Sequence, residues 1–176
     1  MTLNTFTPGA DILSSQHNEN FKGNVLYELY TGSDFNSGQS STGTSENSYE
    51  LTAITAANLG VSDYITIRAY VTVRGQSNDI DGGSADAYFK IEAKETGGSY
   101  SDSMSYKTVA SNNSRALSGG TFGCTVEWTH TLTAGEKTNG VQFKLWSKSV
   151  ATVGTGESAN ASVTNVQVKV VSGVGL

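Results

Sequence analysis

The sequence predicts an all-β protein: an antiparallel two-sheet β-sandwich, jelly-roll-like, with a short N-terminal arm that is helical or extended. Three observations favour this class. Apolar and polar residues alternate in five long segments, 20 glycines and many short polar stretches separate the segments, and sustained helical periodicity is lacking. A chain of 176 residues fits one domain, at residues 23–176, preceded by an arm at residues 1–22.

The strongest strand pattern covers residues 63–74, where every second residue is apolar. The apolar face consists of Ile65, Ile67, Ala69, Val71 and Val73. The same alternation recurs in residues 87–94, 122–129, 141–146 and 166–170. Weaker strands are predicted at residues 25–30, 48–54, 104–109 and 151–153. Strands with one apolar and one polar face pack as two antiparallel sheets, which is why a sandwich is predicted.

Turn-forming residues separate the strands at residues 77–84, 97–99, 111–120, 134–140 and 154–156. Apart from the arm, only the segment from Thr55 to Leu59, ended by Gly60, favours a helical turn. Residues 33–47 are polar and of low complexity, which predicts a mobile loop or a linker that a partner stabilises. No repeat of fixed period is visible, so a propeller or a solenoid is disfavoured.

The opening segment, residues 5–21, combines a Pro-Gly turn with one or two helical turns that end in Asn-x-Asn-Phe. It resembles the opening of bacteriophage appendage proteins, which often begin with a Pro-Gly turn, a small polar run and Asn-x-Asn-Phe. The resemblance implies a structural protein of the virion, of the tail-fibre, head-fibre or capsid-decoration type. It also implies synthesis in the host cytoplasm, assembly with other virion proteins, and a homo-oligomer in which a trimer is favoured.

A helical segment as short as this arm does not persist alone in water, so it is expected to dock. In one interpretation Phe6, Leu13 and Phe21 are buried in a neighbouring subunit or in the virion, and the arm attaches the domain. In the other interpretation the same side chains cover the open end of their own sandwich. The sequence favours neither.

Charge and cysteine content exclude several classes of protein. The chain has 16 acidic and 11 Lys and Arg residues, with a pI near 4.9, so nucleic acid is an unexpected partner. The sequence shows neither a signal peptide nor an apolar stretch long enough to span a membrane, which predicts a soluble protein without membrane insertion. Cys124 is the one cysteine, so an intramolecular disulfide is impossible, and its apolar strand face predicts an inert core thiol.

No catalytic centre emerges from the sequence, which predicts a protein that is not an enzyme and needs no cofactor. His17 and His130 are far apart, and a Gly-x-Ser-x-Gly motif is absent. His130 lies between two threonines and is predicted to be a solvated surface imidazole. Paired carboxylates for glycoside hydrolysis stay open, although no motif selects two among Glu92, Glu95, Glu127 and Glu157.

A glycine-rich turn at residues 78–86 contains the weak calcium candidates Asp79, Asp81 and Asp86. Calcium prefers six to eight oxygen ligands. The spacing departs from the EF-hand, and Asx-Gly turns are common without metal. We therefore predict a turn without a metal ion.

Four aromatic residues, Tyr64, Tyr70, Tyr88 and Trp146, fall on the polar faces of their strands. Large amphipathic side chains in such positions commonly contact glycans or another protein subunit. For this chain the expected partner is a glycan of the host surface or a second subunit. Alternatively, several of them lie under loops or within the packing of the second sheet. The pattern leaves two functions: a virion structural protein, or a carbohydrate-binding module or lectin-like domain that uses these rings as stacking platforms.

Overall fold

The computed structural model describes residues 25–30, 37–39, 41–60, 62–77, 84–112, 121–152 and 159–173. The strands are β1 Val25–Tyr30, β2 Ser37–Gln39, β3 Gly43–Glu50, β4 Tyr64–Ser77, β5 Ser84–Glu95, β6 Asp102–Ser103, β7 Lys107–Asn112, β8 Thr121–Thr131, β9 Val141–Thr152 and β10 Ala159–Gly173. The helices are α1 Ala56–Leu59 and α2 Ala134–Asn139. Within these ranges neither helix has the length or the apolar character needed to cross a bilayer.

The strands form two antiparallel sheets. Sheet A has the order β1-β10-β4-β8, and β2 pairs with β10 beyond the end of β1. Sheet B has the order β3-β9-β5-β6, and β7 pairs with the same edge of β5 as β6. Counting β1 with β2 and β6 with β7 as interrupted strands, the orders become 1-8-3-6 and 2-7-4-5. This is the jelly roll of two Greek keys, so the predicted fold class is confirmed.

The core lies between the two sheets and follows the predicted alternation. The five apolar residues of β4 named above are at most 2% exposed. In sheet B, every second residue of β5 and of β9 is buried, including Phe89 and Phe143. The strand faces predicted from the alternation are therefore confirmed. Burial of each large apolar side chain stabilises the fold by roughly 1.5 to 3 kcal/mol.

Cys124 lies at the margin of this core. It packs against the core but is only half-buried, so the expected core position holds in part. The reason is that β8 is an edge strand of sheet A in the described part of the chain, so its inward side chains are covered less completely.

Residues 33–47 are predicted as a mobile loop or linker, but residues 37–39 form β2 and residues 43–47 form the first part of β3, whereas residues 33–36 and 40 lie outside the described residues. Gly43 pairs with Ala151 and Glu50 pairs with Lys144, so β3 is a regular edge strand of sheet B. That prediction was wrong because an edge strand needs backbone hydrogen bonds on one side only, and β3 forms them with little apolar burial.

The two helices differ in how well the sequence predicted them. The predicted turn at α1 is confirmed: the hydroxyl of Thr55 accepts a hydrogen bond from the Asn58 N–H, and Gly60 ends the helix at φ 57°. Helix α2 occupies a segment predicted as a strand-separating turn. Thr133 and Glu136 form a capping box that starts this helix, and the Thr-x-x-Glu spacing is visible in the sequence.

Replacing Gly140 by alanine is expected to destabilise the fold by at least about 2 kcal/mol, the combined cost of backbone strain and overpacking. Gly140 has φ 91°, and an added Cβ would lie 2.5 Å from the carbonyl oxygen of Ile54. That carbonyl accepts the N–H of Val141, so the clash disturbs a backbone hydrogen bond as well. Urea unfolding measures the change in free energy.

Gly123→Ala is the matched control for this substitution. A Cβ at Gly123 meets no atom within 4 Å, so the expected change is within about 0.5 kcal/mol. Equal stability of the Gly140→Ala and Gly123→Ala proteins would contradict the strain at Gly140.

Candidate functional site

His130 stands at the centre of a buried polar cluster. Its side chain is 1% exposed, Nδ1 lies 2.9 Å from Oδ2 of Asp102, and Nε2 lies 2.9 Å from Oε1 of Glu136. The prediction of a solvated surface imidazole was wrong. His130 continues the inward alternation of Val126 and Trp128 along β8, so its side chain points into the sandwich. This parity in the sequence is the signal that would have placed it correctly.

Three elements supply this His130 cluster, which consists of His130, Asp102 and Glu136. His130 comes from β8, Asp102 from β6 and Glu136 from the first turn of α2. The carboxylate of Glu136 is 4% exposed, and it also accepts the Thr133 N–H at 2.8 Å, which closes the capping box. The Asp102 carboxylate is 57% exposed and lies on the solvent side of the cluster.

Aromatic rings enclose the imidazole. The ring centroid of Trp128 lies 5.1 Å from that of His130, and the ring of Phe143 meets it edge-on at 5.9 Å. Both imidazole nitrogens already face carboxylates, and neither faces a hydroxyl or thiol nucleophile in the described structure. A general base needs a nitrogen within reach of the proton that it abstracts. The arrangement is suited to cross-linking β6, β8 and α2.

The outer face of sheet B carries a second polar arrangement, which we name the lysine-aromatic layer. Its members are Tyr88, Lys90, Glu92, Lys94, Tyr100, Tyr106, Lys144, Trp146 and Lys148. Ammonium groups lie over the rings: Lys144 Nζ is 4.2 Å from the centroid of Tyr100, and Lys90 Nζ is 5.1 Å from that of Trp146. Such cation–π contacts stabilise the layer and cover ring surface.

Carboxylates tie this layer together. Trp146 Nε1 donates to Oε2 of Glu92 at 2.6 Å, and Lys90 Nζ donates to Oε1 of the same group at 2.7 Å. Burial alone would raise the pKa of Glu92, but these two hydrogen bonds outweigh it and the pKa is lowered. Hydrogen bonds with Lys144 and Tyr100 likewise lower the pKa of Glu50.

The pKa values of two tyrosines in the layer shift in the opposite direction. Burial raises the pKa of Tyr100 well above its ordinary value, and the neighbouring carboxylate of Glu50 adds to the effect. Burial and the carboxylate of Glu46, which accepts a hydrogen bond from the phenol, do the same for the pKa of Tyr106. Both phenols are therefore held neutral in the folded protein.

These raised pKa values predict a loss of stability at alkaline pH. Unfolded tyrosine ionises near 10.0, whereas Tyr100 and Tyr106 keep their protons in the fold, so their contribution is complete below that pH and declines above it. We expect Tm to fall as the pH rises above about 10, and to fall less steeply in the Tyr100→Phe, Tyr106→Phe double variant. Differential scanning fluorimetry measures both profiles, and parallel profiles would contradict this origin of the pH dependence.

The four aromatic residues predicted to contact a glycan or a subunit lie on two different sheets. Tyr88 and Trp146 belong to the lysine-aromatic layer and are half-buried. Tyr64 and Tyr70 lie on the outer face of sheet A, on β4, where Tyr64 is half-buried and Tyr70 is 40% exposed. Of the four, Tyr70 presents the most open ring.

Tyr70 borders a groove on the outer face of sheet A. The groove has a volume of about 500 Å³ and is lined by Tyr70, Val71, Thr72, Gly123, Cys124, Thr125 and Gln167. In the register of the sheet, Tyr70 lies between Gln167 of β10 and Thr125 of β8. Thr72 lies opposite Gly123, whose missing side chain opens the groove.

The other predicted site residues are placed as follows. Asp86 lies on the outer face of β5. Burial of Tyr88 is the main cause of its raised pKa, and the carboxylate of Asp86 raises that pKa further. Asp79, Asp81 and the arm residues Phe6, Leu13 and Phe21 lie outside the described residues. The described part of the chain contains no group of three His, Cys, Asp or Glu residues that could hold a metal ion.

The glutamates considered for a catalytic pair are separated. Glu92 faces outward from sheet B, where it bonds to Lys90 and Trp146, and Glu127 faces outward from sheet A, where it accepts from Arg68 Nε at 2.6 Å. Glu95 accepts a hydrogen bond from Asn139, the last residue of α2. Glu157 lies outside the described residues. The structure does not bring Glu92 and Glu127 together.

No protein-family model and no curated protein matches the chain. Solved structures show weak similarity. The chain aligns with the infectious bursal disease virus Gx strain structure at 12% identity and a TM-score of 0.46, over 87% of this chain and 33% of that one. It aligns with the VP2 subviral particle of that virus at 12% identity and a TM-score of 0.34, over 85% of this chain and 37% of that one.

A third solved structure is the CBM22-1 xylan-binding domain of Paenibacillus barcinonensis Xyn10C, at 11% identity and a TM-score of 0.30, over 86% of this chain and 97% of that domain. The chain spans about a third of the length of the viral chains. Similarity at this level supports no conclusion about function, and the jelly-roll assignment rests on the strand order.

Proposed function

We propose that this protein is a structural component of a virus particle, a bacteriophage appendage or capsid-surface protein of the decoration or fibre type. Jelly rolls of two Greek keys occur in viral capsid and lectin domains, and residues 5–21 resemble the opening of phage appendage proteins. Because one fold serves many functions, the polar groups of this chain must support the assignment.

The observation on which the proposal depends is that these polar groups brace the sandwich. The His130 cluster joins β6, β8 and α2 through contacts of 2.9 Å, and the lysine-aromatic layer covers the outer face of sheet B. We expect both arrangements to stiffen the domain, while the groove at Tyr70 leaves part of the outer face of sheet A open. A stiff domain with an accessible face suits display on a particle.

In this proposal residues 1–22 attach the domain to other virion proteins through Phe6, Leu13 and Phe21. The protein acts in the virion after synthesis in the host cytoplasm, and a homotrimer is the favoured assembly. Neither nucleic acid nor membrane insertion is part of the proposal. Light scattering of the purified chain tests the trimer.

Deleting residues 1–22 is expected to leave the melting temperature of the sandwich unchanged and to abolish binding to virus particles. The reason is that the three apolar side chains would be buried in a partner rather than in their own domain. Co-sedimentation with purified particles, followed by gold-labelled antibody against the domain, measures binding. Differential scanning fluorimetry measures stability.

Two outcomes of this deletion contradict the proposal. If the arm covers its own sandwich, each apolar side chain loses burial of roughly 1.5 to 3 kcal/mol, and the shortened protein melts earlier or aggregates. If the shortened protein is stable and still binds particles, the arm is not the anchor. Failure of the full chain to label any particle would overturn the virion assignment itself.

The second candidate function is a carbohydrate-binding module or lectin-like domain. The observation that favours it is the open ring of Tyr70 beside a groove of about 500 Å³. The two functions are compatible, because a domain displayed on a particle can also bind a glycan of the host surface.

A further inference from the structure

The groove at Tyr70 is open because of its position in the register of sheet A. One cross-strand row places Tyr70 between Gln167 and Thr125, and the next row places Thr72 beside Gly123. A Cβ added to Gly123 would meet no atom within 4 Å, so this end of the groove is empty space. The phenol ring of Tyr70, 40% exposed, forms one wall.

The lining of the groove is neutral. Its outward side chains are a phenol, two threonine hydroxyls and a primary amide, and it includes no charged side chain. On the adjacent cross-strand row Arg68 pairs with Glu127. The hydrogen bond to Glu127, and to a smaller extent the hydrogen bond to Tyr70, raises the pKa of the guanidinium. The guanidinium of Arg68 is therefore already paired with a carboxylate, which makes it a poor partner for an anionic ligand.

The same lining disfavours a purely apolar ligand. Hydroxyl and amide groups both donate and accept hydrogen bonds, and covering them with an apolar group would leave them unpaired. A sugar ring satisfies both requirements, because its C–H face packs on an aromatic ring while its hydroxyls bond to amide and hydroxyl groups. The volume of about 500 Å³ is within the ordinary range of small-ligand sites.

We propose that this groove binds a short neutral saccharide. Tyr70 supplies the stacking surface, Gln167, Thr72 and Thr125 supply hydrogen bonds, and Gly123 supplies the space for the sugar ring. This inference does not depend on a role in the virion. It also distinguishes Tyr70 from Trp146 as a contact for a sugar, because the ring of Trp146 is already contacted by Lys90 at 5.1 Å and by Lys144 at 5.5 Å.

The test begins with the full chain on a printed array of neutral mono- and oligosaccharides, followed by isothermal titration with the saccharide that binds best. Two variants address the groove: Tyr70→Ala removes the stacking surface, and Gly123→Leu fills the empty space. We expect each to weaken binding at least about tenfold. The matched control is Tyr49→Ala, which removes a tyrosine of similar exposure, 36%, from the other sheet and should leave affinity unchanged.

Each variant is first compared with the parent protein by thermal unfolding, and Tyr70→Phe keeps the ring without the phenol. Retained binding by Tyr70→Phe, with loss in Tyr70→Ala, supports stacking. The proposal is overturned if no neutral saccharide binds on the array. It is equally overturned if binding survives both groove variants, or is lost on replacing Trp146 rather than Tyr70. A negative array leaves particle labelling by the full chain unaffected, so the two proposals fail independently.

Discussion

Replacing Glu136 by alanine is expected to lower the free energy of unfolding by about 2 to 5 kcal/mol, because a buried imidazole nitrogen loses its hydrogen-bond partner and the capping box of α2 loses one of its two hydrogen bonds. The carboxylate is 4% exposed and lies 2.9 and 3.0 Å from Nε2 of His130. Its removal leaves that nitrogen buried without this partner. It also removes the hydrogen bond from the Thr133 N–H that helps to begin α2.

Thr133→Ala separates these two contributions. It removes the hydroxyl that caps α2 but leaves the pair between Glu136 and His130, so the expected loss is about 1 kcal/mol. Urea unfolding of both variants gives the difference that belongs to the buried pair. If Glu136→Ala were no more destabilising than Thr133→Ala, the contact between Glu136 and His130 would contribute nothing to the stability of the fold.

Phe143→Ala is expected to cost about 3 to 5 kcal/mol as well, through the lost burial and the cavity that remains. Phe143 is 1% exposed in the middle of the sandwich, and its ring meets Trp128 edge-on at a centroid distance of 6.4 Å. Since a domain of this size is stable by only about 5 to 15 kcal/mol, this change removes a large share of the total. Denaturant midpoints measure the loss.

Phe143→Leu is the control for the aromatic contacts. Leucine keeps most of the buried volume but loses the edge-to-face contacts with Trp128 and His130, each worth about 0.5 to 1.5 kcal/mol. We expect it to be clearly less destabilising than alanine. A loss below about 1.5 kcal/mol for Phe143→Ala would show that the site collapses around the deletion, and that this ring does not hold the two sheets together.

The strands of the core could be predicted from the sequence because their signal is local. An apolar residue at every second position dictates which face of β4, β5 and β9 is buried, whatever the strands pair with. The first part of the edge strand β3, residues 43–47, escaped prediction because its polar side chains follow no such pattern. Its hydrogen bonds depend on β9, about a hundred positions away in the chain: Gly43 pairs with Ala151.

The candidate sites depend on the same distinction. The sequence placed Tyr70 and Trp146 alike on polar strand faces, yet one ring borders an open groove and the other is contacted by two lysines. Their cross-strand neighbours make the difference: Tyr70 lies beside Thr125 and close to Gly123, whereas Trp146 lies beside Lys90. Neighbours of this kind are known only once the register is known.

The sequence by itself determined the all-β class, the buried faces of the main strands and the turn at Thr55 to Gly60, because each follows from residues adjacent in the chain. Only the tertiary structure decided that His130 faces Asp102, 28 positions away, and Glu136, and that one face of sheet A has an open groove. The physical reason is that burial of a strand face is set by local periodicity. Which polar groups meet is set by the register and packing of strands distant in the chain.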